Sequence, residues 1–180
     1  MDRRERVRRI RMLVMDVDGV LTDGRIFIGA SGEVFKAFNS QDGLGLAAAG
    51  KAGLKTAIIT GRQSEIVAKR AAELSISIVR QGCSDKAAAL EEIAQECKIP
   101  LAEIAYIGDD LNDLPAVHRA GLACAVSNAA LEVKDVAHYV TVKAGGHGAV
   151  REVVELILKA QNKWENIVND YQQSQSEAGQ

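Results

Sequence analysis

Aromatic residues and cysteines are what the chain has least of. Three Phe, three Tyr and one Trp make up 4% of its 180 residues, and the three cysteines, Cys83, Cys97 and Cys124, are odd in number and widely spaced. That spacing excludes a disulfide framework and a zinc knuckle and suits the reducing cytoplasm. An excess of charge is missing too, since 22 Lys and Arg face 24 Asp and Glu. A formal net charge of −2 gives no global attraction to nucleic acid or to an anionic membrane. Long apolar runs are also absent. The Arg-rich start, Met1 to Arg11, resembles the front of a signal peptide, but the apolar stretch behind it runs only from Met12 to Met15 before Asp16 interrupts. This is too short for a secretory core or a membrane span, so the Arg run reads as a solvated leader. A compact polar small molecule fits this balance better than a macromolecular partner.

The length suits one well-buried domain and is too short for two of full size. Short runs of Ile, Val, Leu and Ala recur at Ile10–Met15, Leu54–Ile59, Ile76–Val79, Ile104–Ile107, Leu122–Val126 and Tyr139–Val142. Helix-like segments lie between most of them, at Leu44–Ala52, Ser64–Leu74, Lys86–Lys98 and Asp113–Ala120, with a last one at Ala149–Gln161. This alternation predicts an α/β fold: a three-layer, Rossmann-like parallel sheet with helices on both faces. One domain is expected over residues 1–160. Residues 161–180 turn polar and Gln/Ser-rich and read as a loosely ordered tail.

One segment breaks the rhythm. Residues 24–38 read as two short strands around Gly29-Ala30-Ser31-Gly32, a β-hairpin placed as a flap over whatever Asp16 and Asp18 build. Ile26, Phe27, Ile28, Phe35 and Phe38 are more apolar surface than a free-standing hairpin can bury. Either a partner surface covers them or the hairpin folds back on its own domain.

Chemically dense residues are confined to four stretches: Asp16-Val17-Asp18-Gly19-Val20-Leu21-Thr22, Thr60-Gly61-Arg62, Lys86, and Gly108-Asp109-Asp110-Leu111-Asn112-Asp113. Three of them follow expected strands, and open parallel sheets bind ligands at the carboxyl ends of their strands. Side chains two apart on extended backbone point the same way, so Asp16 and Asp18 converge where Gly19 lets the chain turn. Such a set suits phosphoryl transfer. A phosphate monoester is a dianion that repels a carboxylate, so a carboxylate nucleophile needs cations on the phosphoryl oxygens, the role expected of Mg²⁺ and Lys86. Asp16 is then the nucleophile, and Asp18 the acid for the leaving oxygen and later the base for water. Asp16, Asp18 and Asp109 offer hard oxygen ligands to Mg²⁺. Asn112 and Asp113 are placed to orient Asp109, and Asp110 to hold Lys86 or a water. The Thr60 hydroxyl and the Gly61 amide can donate to phosphoryl oxygens. His118 and His138 lack any metal-ligand spacing.

These stretches resemble the haloacid dehalogenase superfamily, whose motifs Asp-x-Asp-x-(Thr/Val), Ser/Thr, Lys and Gly-Asp-x-x-x-Asp match Asp16 to Val20, Thr60, Lys86 and Gly108 to Asp113. The cap domains inserted in much of that superfamily have no room here. Asp16 to Gly24, Gln41-Asp42-Gly43-Leu44-Gly45 and Gly145 to Glu152 look like its capless family of 3-deoxy-D-manno-octulosonate 8-phosphate phosphatases. The resemblance implies a cytoplasmic Mg²⁺-dependent homotetramer, with no nucleic-acid or membrane partner, acting on a phosphorylated sugar acid on the path to lipopolysaccharide. It implies substrate contacts from Arg62 and Arg70, with Asn39, Ser40, Gln41, Asp42, Gly43, Gly61 and Lys86. The family's Asn-x-Arg-Asp-Gly stretch stands here without its arginine, and Ala47 replaces another. Two alternatives stay open. A phosphatase of a nine-carbon sialic-type sugar acid 9-phosphate would tend to carry Glu at the position of Arg62. A non-catalytic phosphosugar-binding or scaffold module could lose Asp16, Asp18, Lys86 or Asp109, all present here.

Overall fold

The structure, a computed structural model, describes residues 2–177. In chain order its elements are α1 (Arg3–Arg8), β1 (Met12–Met15), β2 (Phe27–Gly29), β3 (Gly32–Phe35), α2 (Ser40–Lys51), β4 (Lys55–Ile59) and α3 (Glu65–Glu73). There follow β5 (Ile78–Arg80), α4 (Lys86–Cys97), β6 (Ile104–Gly108), α5 (Leu114–Arg119), β7 (Leu122–Ala125), α6 (Leu131–Val136), β8 (Tyr139–Val140), α7 (Ala149–Ala160) and α8 (Trp164–Glu177). Six strands form one parallel sheet in the order β5-β4-β1-β6-β7-β8, and β2 and β3 form a separate antiparallel hairpin. Every residue of β1, β6 and β7 is buried, as the continuous apolar runs require of strands covered on both faces. Helices α2, α7 and α1 pack together in one layer, and α4, α5 and α6 in another. No cap domain interrupts this three-layer fold.

The sheet sets the site by its order. β1 lies between β4 and β6, with Met15 opposite both Ile58 and Ile107, so the chain leaves three adjacent strands side by side. Asp16, Thr60 and Asp109 follow those three exits. A later loop buttresses the first: the Gly146 amide donates to Val20 O at 2.9 Å, and Gly145 comes so near that a Cβ there would lie 1.7 Å from Gly19 O.

Three segments differ from the sequence reading. The Arg run is a docked helix: Val7 and Ile10 are buried, Arg6 donates to Gly121 O at 2.9 Å, and Arg3 lies over the Tyr139 ring. Two apolar anchors among arginines were enough to seat it. Within the expected loose tail, residues 164–177 are helical, because Trp164, Ile167 and Tyr171 fall at helical spacing and form one stripe. Arg151 sits over Trp164 at 4.7 Å and Lys51 over Tyr171 at 4.4 Å. Helix α2 begins at Ser40, earlier than expected, because Asn39 caps it by accepting from the amides of Gln41 and Asp42. Its early glycines conceal a helix at sequence level. They are needed because Gly43 abuts Arg70 and Gly45 abuts Arg151, where a Cβ would meet side-chain atoms at 2.6 and 2.7 Å.

The hairpin folds back on its own domain in part. Phe27 and Phe35 stack at 4.1 Å between centroids, and a charged edge ties the hairpin to its own domain, while Ile28 and Val34 stay 71% and 58% exposed.

Two glycine substitutions should separate packing from propensity. Gly145→Ala forces the 145–148 loop off the Gly19 backbone and should cost about 2 kcal/mol or more in urea denaturation. Gly50→Ala, in α2 with open space around it, should instead gain about 0.5–1 kcal/mol.

Candidate active site

Lys86 is the first residue of α4, whose cap is Asp85, and its side chain is 1% exposed. Its Nζ lies 2.9 Å from Asp16 Oδ2 and donates to Asp113 Oδ1 at 2.6 Å. Burial alone would lower the ammonium's pKa, but the charges of Asp16 and Asp113 hold it above its ordinary value.

Asp113 is completely engaged. Its Oδ1 also accepts from the Tyr106 hydroxyl at 2.6 Å, and its Oδ2 accepts from the amides of Asp109 and Asp110 at 2.9 and 3.2 Å. It therefore acts as a bracket that fixes Lys86 on one side and the Asp109 loop on the other. Asp110 does not hold Lys86; it caps the 3-10 turn Leu111–Asp113 through the Leu111 amide.

Asp16 and Asp109 retain unused lone pairs. Asp16 Oδ1 is buried with no hydrogen-bond partner. Burial pushes Asp109 up to about 8, the charges of Asp16, Asp113 and Asp110 adding to it. Asp16 is pushed up to about 6 by burial and by Asp113, against the pull of Lys86. Carboxylate oxygens of Asp16, Asp109 and Asp113 lie within 4.8 Å of one another. Crowded anions with one shared ammonium and an orphaned buried oxygen fit a hard divalent cation such as Mg²⁺, and the donor set is all oxygen. Asp113 has no oxygen to spare, which leaves Asp16 and Asp109 as the side chains able to hold it. Gly19 is required beside them: its φ is +91°, and a Cβ there would lie 1.9 Å from Asp109 Oδ2.

The side chain of Asp18 stands apart from that oxygen cluster, leaving its backbone carbonyl as the group it could offer an ion. Its Oδ1 accepts from Lys36 Nζ at 2.5 Å, and its Oδ2 lies 3.8 Å from Arg62 Nε. Asp16, Asp18, Thr60, Gly61, Arg62 and Asp109 together line an open cleft of about 240 Å³.

The remaining expected contacts lie elsewhere within the single chain. Asn39, Asp42, Gly43 and Arg70 line a separate tight recess with Phe38 and Leu74. Asn39 caps α2, and Asp42 is buried and accepts from the amides of Gly148 and Arg151 at 3.2 and 2.8 Å. Arg70 pairs with Glu73, while its Nε is buried without a partner. Ser40 opens α2, and Gln41 accepts from Lys143 at 3.3 Å.

The sequence reading missed Tyr106, Lys36 and Glu33. Tyr106 was hidden as an apolar residue of a buried strand, although a fully buried phenol needs an acceptor. Lys36 and Glu33 were hidden by the apolar residues of the hairpin, although charges placed inward on a short flap were a usable signal.

Comparison with known proteins gives the family and agrees with the fold. The profile of haloacid dehalogenase-like hydrolases matches residues 57–153. The 3-deoxy-D-manno-octulosonate 8-phosphate phosphatase of Escherichia coli is 46% identical over 154 residues, covering 86% of this chain and 82% of its own. Among solved structures, the phosphatase of that name from Moraxella catarrhalis, in complex with a magnesium ion, a phosphate ion and a KDO molecule, has a TM-score of 0.91. It is 47% identical, over 94% of this chain and 97% of that chain. The cobalt-bound phosphatase of Haemophilus influenzae has a TM-score of 0.86 at 38% identity, over 88% of this chain and 92% of that chain. Motif order, fold and identity over most of its length agree: the chain belongs to the haloacid dehalogenase superfamily and, within it, to the family of 3-deoxy-D-manno-octulosonate 8-phosphate phosphatases.

Proposed function

We propose that the chain hydrolyses 3-deoxy-D-manno-octulosonate 8-phosphate to the free sugar acid and phosphate, a step toward lipopolysaccharide, with Asp16 as nucleophile and Mg²⁺ as cofactor. The observation that carries this reading is the Asp16 carboxylate, held through Oδ2 by a buried lysine while Oδ1 has no donor. Asp16, Asp109 and the Asp18 carbonyl would hold the ion. Bound there, Mg²⁺ supplies the positive charge that lets a carboxylate approach a phosphate dianion.

The chain's own residues do the rest. Asp16 attacks phosphorus, the bond from phosphorus to the sugar oxygen breaks, and an aspartyl-phosphate forms. Asp18 gives its proton to the departing sugar oxygen. Afterwards Asp18 takes a proton from the water that attacks phosphorus and releases Asp16. Thr60 and Gly61 donate to the phosphoryl oxygens where charge builds, and Lys86 holds Asp16 against the phosphoryl group. Arg62, half-exposed at the cleft, has a guanidinium fork suited to the sugar carboxylate.

The eight-carbon sugar acid is supported by the activity named for the Escherichia coli relative and by the KDO molecule named in the Moraxella catarrhalis complex. The reading extends to a cytoplasmic homotetramer, since Ile28 and Val34 on the flap present apolar surface suited to a neighbouring subunit. In it, Asn39 to Gly43 and Arg70 are contacts completed by assembly, and residues 1–160 form the catalytic domain.

Asp16→Asn should lower turnover at least about a thousandfold while leaving the melting curve cooperative. Chelation by EDTA should abolish phosphate release, and excess Mg²⁺ should restore it. Arg62→Ala should raise KM for the sugar-acid phosphate about ten- to a hundredfold, the loss of one charge-assisted contact, while affecting an aryl phosphate far less. Equal damage to both substrates would contradict the carboxylate assignment.

A further inference from the structure

Lys36 is out of character with its surroundings. The hairpin around it exposes Ile28, Val34 and Phe35, yet the Lys36 side chain is 1% exposed. Its Nζ lies 2.5 Å from Asp18 Oδ1 and 2.9 Å from Glu33 Oε1. The other Glu33 oxygen accepts from the Ser64 hydroxyl, which caps α3 by accepting from the Val67 amide. A line of contacts therefore runs from α3 through Ser64, Glu33 and Lys36 to Asp18.

Anchoring the hairpin needs only the Glu33 and Ser64 end of that line. The Asp18 end does something else. A carboxylate on a short side chain beside an open cleft has several rotamers, and proton transfer demands hydrogen-bond reach to one particular oxygen. Arg62, at 3.8 Å from Oδ2, is too far to hold Asp18 by itself. The short contact from Lys36 selects the rotamer, and Lys36 is itself held by Glu33.

We propose that Lys36 is a positioning residue, which holds the Asp18 carboxyl group through Oδ1 so that a proton on Oδ2 is aimed at the leaving group, and which makes protonation of that group depend on the seated flap. The inference rests on the reading of Asp18 as the acid. It carries a consequence that mere stabilisation lacks, namely selectivity by leaving group. A sugar alkoxide cannot depart without a proton, whereas an aryl oxide such as p-nitrophenolate departs readily without one.

The test isolates the first half-reaction, because Asp18 serves as base in the second for any substrate: it compares the single-turnover rate of leaving-group release from the sugar-acid phosphate and from p-nitrophenyl phosphate, using the full chain with saturating Mg²⁺. Lys36→Met should lower the rate of leaving-group release from the sugar substrate about ten- to a hundredfold, with KM nearly unchanged and a loss of release rate within about threefold on the aryl substrate, while hydrolysis of the aspartyl-phosphate slows alike for both. Lys36→Arg should recover part of the sugar activity. Glu33→Gln, which weakens the anchor without touching Asp18, should give the same selectivity in smaller measure and serves if Lys36→Met folds poorly. In an Asp18→Asn background Lys36→Met should add nothing, because its effect passes through Asp18.

Equal losses in the rate of leaving-group release from both substrates, or a further loss in the Asp18→Asn background, would overturn the role of Lys36 while leaving the reading of Asp18 standing. An Asp18→Asn variant that still released the sugar alkoxide at full rate would overturn that reading, and this inference with it.

Discussion

One buried ammonium organises the site. Lys86 lies between Asp16 and Asp113, and without it two carboxylates would face each other out of water. The arrangement is asymmetric. Asp113 takes four donors and becomes immobile, whereas Asp16 receives Lys86 on one oxygen and keeps the other uncommitted. A single cation thus divides two chemically identical groups into a fully engaged support and one with an oxygen left open. Tyr106 makes the division firm, because its hydroxyl shares Asp113 Oδ1 with the lysine.

Much of this was legible in the sequence, for reasons that differ by element. Apolar runs marked all six sheet strands to within about two residues, most sharply β1, β6 and β7, which are covered on both faces and have no polar positions to blur the pattern. Asp16, Asp18, Thr60, Lys86 and Asp109 stood out because each follows a strand or opens a helix. Asp113 was placed correctly near Asp109, but nothing in the letters told that it, and not Asp110, would hold Lys86. That depends on a 3-10 turn whose handedness and length bring one side chain back under the strand.

The misreadings share a cause. Residues 3–10 and 164–177 are polar overall, and composition hides the few apolar residues that seat them, Val7 and Ile10 in one, Trp164 and Ile167 in the other. Asn39 to Gly43 were expected as substrate contacts through the family resemblance and not from their own pattern. Within the single chain Asn39 caps α2 and Asp42 ties it to the start of α7, so these two side chains also serve the fold.

The contact between Gly145 and Gly19 links residues more than a hundred positions apart in the chain, and the turn carrying the first motif rests on it. A ribosome delivers the two at different times. A nascent polypeptide that has completed its central strands still lacks the prop beneath that turn, so catalytic competence cannot precede emergence of the 145–148 loop. Activity in this enzyme therefore waits for residues made well over a hundred positions after Asp16 and the turn that follows it.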